Sequence, residues 1–168
     1  MAGAQRLRAR AVGRGAGPHG RCLAPGVGRV IDWNAVPDEA LLLVDTAPLI
    51  YHLESDERFG ARFAGLFEAS ASGRLRLAIS TVSLAEVLTG PFAHGRDVLA
   101  RQIENALCEH RVVALTPEIA VEAARLRARY RLRLPDAVQL ATTLQIDAWG
   151  LVTYDRDFSR IEDVRIIS

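Results

Sequence analysis

From residue 40 onward the chain alternates short apolar runs with longer segments of helical character, and this rhythm restricts the folds open to it. The stretches ALLLVD (40–45), RLAIS (76–80), RVVAL (111–115), GLVTYD (150–155) and VRIIS (164–168) read as strands. Helices are expected to open at APLIYHLE and to span 57–72, 81–90, 95–109, 117–130 and 136–147, the third of them ended by Gly90-Pro91. Runs apolar at consecutive positions suit strands covered on both faces, and strands joined through helices pair in parallel. The expectation is an α/β protein, with one parallel sheet and helices on both of its faces. No internal repeat is present.

At 168 residues the chain has room for one domain with a core that needs no disulfide or structural metal. Cys22 and Cys108 are too far apart for a C-x-x-C pair, which argues against zinc-knuckle and disulfide frameworks. No apolar run reaches the roughly 18 to 20 residues of a membrane span, and the N-terminus lacks the apolar stretch of a secretory signal. A soluble, cytoplasmic protein is expected.

Residues 1–38 carry seven of the 13 glycines and three of the seven prolines, with no helical or strand periodicity. They read as a disordered arm, which puts the domain at 39–168. Six arginines and no acid fall within residues 1–31, leaving 15 arginines against 20 acids in the remainder, a net charge of −5. The arm admits three readings: a phosphate-contacting tail, a targeting peptide, or an upstream stretch included by a misassigned start. Its GAGPHG (15–20) matches G-x-G-x-x-G, but no strand leads into it and no helix follows, so it does not form a dinucleotide site. All 21 basic residues are arginine, which removes Walker-type phosphate binding and lysine Schiff bases from consideration.

In an open parallel sheet, ligands collect beyond the carboxyl ends of the strands. Asp45 follows LLLV at the end of the first strand, and Asp155 follows LVTY at the end of the fourth. Glu86 lies on the helix entered directly from the second strand, and Asp136 heads the helix leading into the fourth. Asp136 is expected to cap that helix, with Gln139 completing a capping box and Ala137, Val138, Leu140, Ala141 and Leu144 forming its buried stripe. Any one of these acids can be an ordinary cap or a solvated loop residue. Four in one cleft would repel and raise one another's pKa unless a cation is present. Oxygen ligands without His or Cys point to Mg²⁺, with Mn²⁺ as a substitute, and such an ion polarises a phosphoryl oxygen and activates water. The chemistry implied is phosphodiester hydrolysis.

The ordered pieces VDTAPLIY, STVSLAEVL, LPDAVQLATT and LVTYDRDF resemble the PIN-domain nucleases, most closely the VapC-type toxins of bacterial type II toxin–antitoxin pairs. The resemblance spans residues 42–168. It implies a PIN-like three-layer α/β/α fold with a five-stranded parallel sheet, a homodimer, Mg²⁺-dependent endoribonuclease activity on RNA, and a cognate antitoxin over the acidic cleft. Carried across residue by residue, it implies Asp45, Glu86, Asp136 and Asp155 as the catalytic, metal-binding acids. Thr46 and Thr153 match hydroxyls that the family uses beside the metal, and Asp157 competes with Asp155 for the fourth place.

Arg131 and Arg133 can guide phosphates or serve as plain surface charges. Asp147 reads as a surface acid, and His52, His94 and His110 form no ligand spacing. The rival readings are a non-catalytic module that keeps the fold and binds RNA or protein, and a metal-dependent phosphatase. The phosphatase would need a lysine or a D-x-D after the first strand, where DTA supplies neither.

Overall fold

The structure, a computed structural model, describes residues 31–168 apart from 55, 57 and 58. Five strands form one parallel sheet: β1 (Leu41–Val44), β2 (Arg76–Ser80), β3 (Arg111–Val113), β4 (Gly150–Val152) and β5 (Ile166–Ile167), in the order β3-β2-β1-β4-β5. Six helices connect them: α1 (Thr46–Leu53), α2 (Gly60–Ala71), α3 (Thr81–Ala93), α4 (Asp97–Cys108), α5 (Pro117–Tyr130) and α6 (Leu134–Gln145).

The period of two along each strand separates two cores. Leu42, Val44, Leu77, Ile79 and Val152 join Leu49, Phe63, Leu66, Val87, Ile103 and Leu107 from α1 to α4. Leu43, Ala78 and Leu151, the alternate positions, join Ile119, Ala123 and Leu126 of α5 and Ala137, Leu140 and Ala141 of α6. This is the expected three-layer α/β/α arrangement, and it explains why the strands are apolar at consecutive positions. The chain runs outward from β1 through β2 to β3, then returns to place β4 on the other side of β1. The reversal puts the topological switch point at the carboxyl ends of β1 and β4, where open parallel sheets gather ligands.

Three boundaries differ from expectation. The helix α3 does not stop at Gly90-Pro91 but continues to Ala93. Proline crowds the backbone N–H and the Cβ of the residue before it, and Gly90 lacks the Cβ. The helix α6 begins at Leu134 rather than Asp136, so Pro135 and Asp136 fall within its first turn. Leu144, expected in the buried stripe, is 38% exposed.

The folded domain also begins earlier than residue 39. Trp33, which opens a short 3-10 turn at Trp33–Ala35, and Val36, which ends it, are buried in the core beside α2. Arg74 holds this segment by donating to the Trp33 carbonyl at 2.8 Å and the Val36 carbonyl at 3.0 Å. Glycine and proline content hid two apolar anchors three residues apart. The remainder of the expected arm, residues 1–30, lies outside the described residues, as does the GAGPHG stretch.

Candidate active site

Asp45 leaves β1 with its backbone N–H still bonded to the Val152 carbonyl at 2.9 Å, so the end of β4 fixes where its side chain starts. Its Oδ1 accepts from the Thr46 N–H at 2.7 Å as the N-cap of α1, and its Oδ2 accepts from the Thr153 hydroxyl at 2.7 Å. Burial pushes the Asp45 carboxyl above its ordinary value. The two hydrogen bonds pull it down, and the charges of Glu86 and Asp155 push it further up.

Thr153 is wholly buried just after β4, and its hydroxyl oxygen also accepts from the Asp155 N–H at 3.0 Å. One hydroxyl therefore ties together the acids that end β1 and β4. Asp155 is exposed and caps the 3-10 turn Arg156–Arg160, accepting from the Asp157 N–H at 2.8 Å. Its charge acts on both Asp45 and Asp136, whereas Asp157 acts more weakly and on Asp136 alone of the two.

Asp136 is not the cap of α6. Arg133 occupies that position without a side-chain bond, and Asp136 sits in the first turn. The proposed capping box is absent as well, because Gln139 is buried and donates instead to Ser83 Oγ at 2.5 Å. Asp136 Oδ2 is buried and has no hydrogen-bond partner among the described residues. Burial, then the charges of Asp155 and Asp45, push the Asp136 carboxyl up to about 6, with Arg133 opposing.

Glu86 stands on the exposed side of α3, where its Oε2 accepts from the Thr46 hydroxyl at 2.5 Å. The same Thr46 oxygen lies 3.1 Å from Ser83 Oγ. Asp45 is thus the hub of the four acids, linked to Glu86, Asp136 and Asp155 by fields or through threonines. Among the described residues no three His, Cys, Asp or Glu side chains close on a common point as a finished cage. The donor set is hard oxygen throughout, and the buried, unpartnered Asp136 oxygen is a group that a cation would satisfy. The residues present therefore fit a divalent ion of the Mg²⁺ class.

Ser83 and Gln139 were not anticipated as parts of the site. The available signal was a glutamine inside a stretch, 137–143, where every residue is buried. Arg131 and Arg133 are exposed at the mouth of α6. Asp147 lies past the end of α6 in a left-handed turn, φ 51°, and is exposed as expected.

The PIN domain family profile matches residues 42–164. Among curated proteins no significant match is found. Of the solved structures, a toxin–antitoxin complex from Klebsiella pneumoniae is similar at 26% identity and TM-score 0.59, covering 76% of this chain and 96% of the other. VapBC2 from Rickettsia felis, bound to a DNA fragment from its promoter, has TM-score 0.61 at 15% identity, over 76% and 97% of the two chains. VapC20 from Mycobacterium tuberculosis, a Sarcin-Ricin loop cleaving toxin, has TM-score 0.53 at 19% identity, over 70% and 92%.

Proposed function

This chain belongs to the PIN domain family, and on that premise we propose that it is a Mg²⁺-dependent endoribonuclease, the toxin of a type II toxin–antitoxin pair. The observation that carries the reading is Asp136. A carboxylate oxygen is buried without a partner, beside two further acids whose charges oppose its ionisation. Such a group is relieved either by taking up a proton or by a cation beside it, and at neutral pH the cation is the one that keeps it ionised.

Asp45, Glu86, Asp136 and Asp155 would hold the ion, Mg²⁺ or Mn²⁺. When bound, such an ion polarises a phosphoryl oxygen and lowers the pKa of water. The chain's own residues supply the order the reaction needs. Thr153 fixes the rotamer of Asp45 and the backbone of Asp155, and Thr46 aims Glu86. Arg133, exposed next to Asp136, offers a guanidinium to an incoming phosphate.

The RNA substrate and the antitoxin partner are supported by likeness to the Klebsiella toxin–antitoxin complex and to the M. tuberculosis toxin that cleaves the Sarcin-Ricin loop. An acidic cleft suits an arginine-bearing segment of an antitoxin. A homodimer is what the resemblance to the VapC-type toxins implies, and such an interface could cover Val121, 54% exposed, and Leu144, which line a depression between α5 and α6. No helix among the described residues is long and apolar enough to cross a membrane. The rival, a non-catalytic binding module, has no need of four coupled acids.

The test is incubation of purified, antitoxin-free protein with total RNA in Mg²⁺ and in chelator. Discrete fragments in Mg²⁺ that disappear with chelator are expected. Binding of RNA without cleavage in either condition would favour the module.

A further inference from the structure

We propose that Gln139 is a positioning residue for Glu86, acting through the hydroxyls of Ser83 and Thr46. The inference rests on the reading of Glu86 as a metal-holding acid. Gln139, on α6, and Ser83, on α3, are both buried, at 1% and 0% exposure. The Gln139 Nε2 donates to Ser83 Oγ at 2.5 Å. Ser83 Oγ is 3.1 Å from Thr46 Oγ1, which is 2.5 Å from Glu86 Oε2.

Counting protons gives this chain a direction. An ionised carboxylate only accepts, so the single Thr46 proton goes to Glu86. Across the 3.1 Å contact Ser83 must then be the donor. Having spent its own proton there, Ser83 has only acceptor capacity left, which Gln139 Nε2 fills from one side and the Ser80 hydroxyl approaches at 3.4 Å from the other. The Ser80 oxygen meanwhile accepts from the Ser83 N–H at 3.0 Å, which fixes the Ser83 backbone. Every proton from Gln139 to Glu86 therefore points toward the carboxylate, and each donor is polarised by the one behind it.

An apolar side chain of similar size would suit the place of Gln139 better if packing were its only task. Its Oε1 has no partner among the described residues, so the amide costs the fold more than a leucine would. The cost is offset by what the other end of the amide does. Glu86 itself is exposed and on a different element from the remaining acids. Without the chain, its carboxylate would be free to sample rotamers that turn away from Asp45.

The test is calorimetric titration of Mn²⁺ into the full-length protein, alongside Gln139→Leu, Ser83→Ala, the double variant, Thr46→Val and Thr46→Ser, with single-turnover RNA cleavage read in parallel. Gln139→Leu and Ser83→Ala should each weaken Mn²⁺ binding by roughly tenfold, in the range typical of groups behind metal ligands. The double variant should be no weaker than the worse single one, because both break the same chain. Thr46→Ser should retain wild-type affinity and Thr46→Val should not. The cleavage rate should fall in step, while the RNA concentration giving half-maximal rate stays constant. Should Gln139→Leu fail to fold, Ser83→Ala with Thr46→Val completes the same cycle. Unchanged affinity in the variants, or losses that multiply in the double variant, would overturn the relay while leaving the metal reading intact. A wild-type protein that binds no Mn²⁺ would overturn both.

Discussion

The Thr153 hydroxyl donates to Asp45 Oδ2 at 2.7 Å, joining positions 108 residues apart. The parallel pairing of β1 with β4, Val44 opposite Val152, places the residues that follow each strand side by side. A sheet register thus becomes the geometry of the site.

Thr153→Val keeps the shape of the side chain and removes the donor. Asp45 Oδ2 is then left without its partner, which should cost about 1–3 kcal/mol of stability and lower RNA cleavage by roughly tenfold or more. Thr153→Ser should restore both. Thermal melts and cleavage rates for the two variants check this, and equal behaviour of Val and Ser would remove the hydroxyl from the account.

Asp136 gives the metal-free protein a defined pH dependence. Its carboxyl is raised from an ordinary value near 3.8 to about 6, so the folded state holds this proton more tightly than the unfolded chain does. The resulting stabilisation is complete below about pH 4 and is lost as pH rises through 6. Allowing for the group's partial exposure, the loss amounts to about 1–2 kcal/mol. In chelator this group should lower stability from pH 5 to pH 7, and Asp136→Asn should flatten that slope. Added Mn²⁺ should flatten it too, by offsetting the charge.

The N-terminal boundary of the domain is also open to test. A Cβ at Gly65 would stand 2.6 Å from Trp33 Cδ1, in the side chain that closes the core beside α2. Gly65→Ala should therefore destabilise the fold by about 1–3 kcal/mol, and Trp33→Ala by about 3–5 kcal/mol. A chain trimmed to begin at residue 39 should melt at a lower temperature than one beginning at 31.

Much of this architecture was legible in the residues. Strands buried on both faces show as apolar runs, and a carboxylate directly after such a run falls where a parallel sheet gathers ligands. Asp45 and Asp155 are legible in this way as acids at the carboxyl edge of the sheet. What stayed hidden depends on contacts distant in sequence or on local sterics. Pro91 reads as a helix end, yet Gly90 before it lacks the Cβ that the proline ring would crowd, and the helix continues. Asp136 reads as a cap as long as the helix starts with it, but Leu134 and Pro135 already belong to the first turn. Gln139 looked like a capping partner because Ser83, 56 residues earlier, is invisible to local pattern. Trp33 and Val36 were concealed by the glycine-rich sequence before them.

Replacement of Asp45 by Asn tests the central claim most directly. Asn can still cap α1 and contact Thr153, so the fold should survive, with a melting temperature in chelator equal to or above that of the wild type because one repelling charge is gone. RNA cleavage in Mg²⁺ should fall by roughly a hundredfold or more. A folded Asp45→Asn protein that cleaves RNA at the wild-type rate would contradict the account.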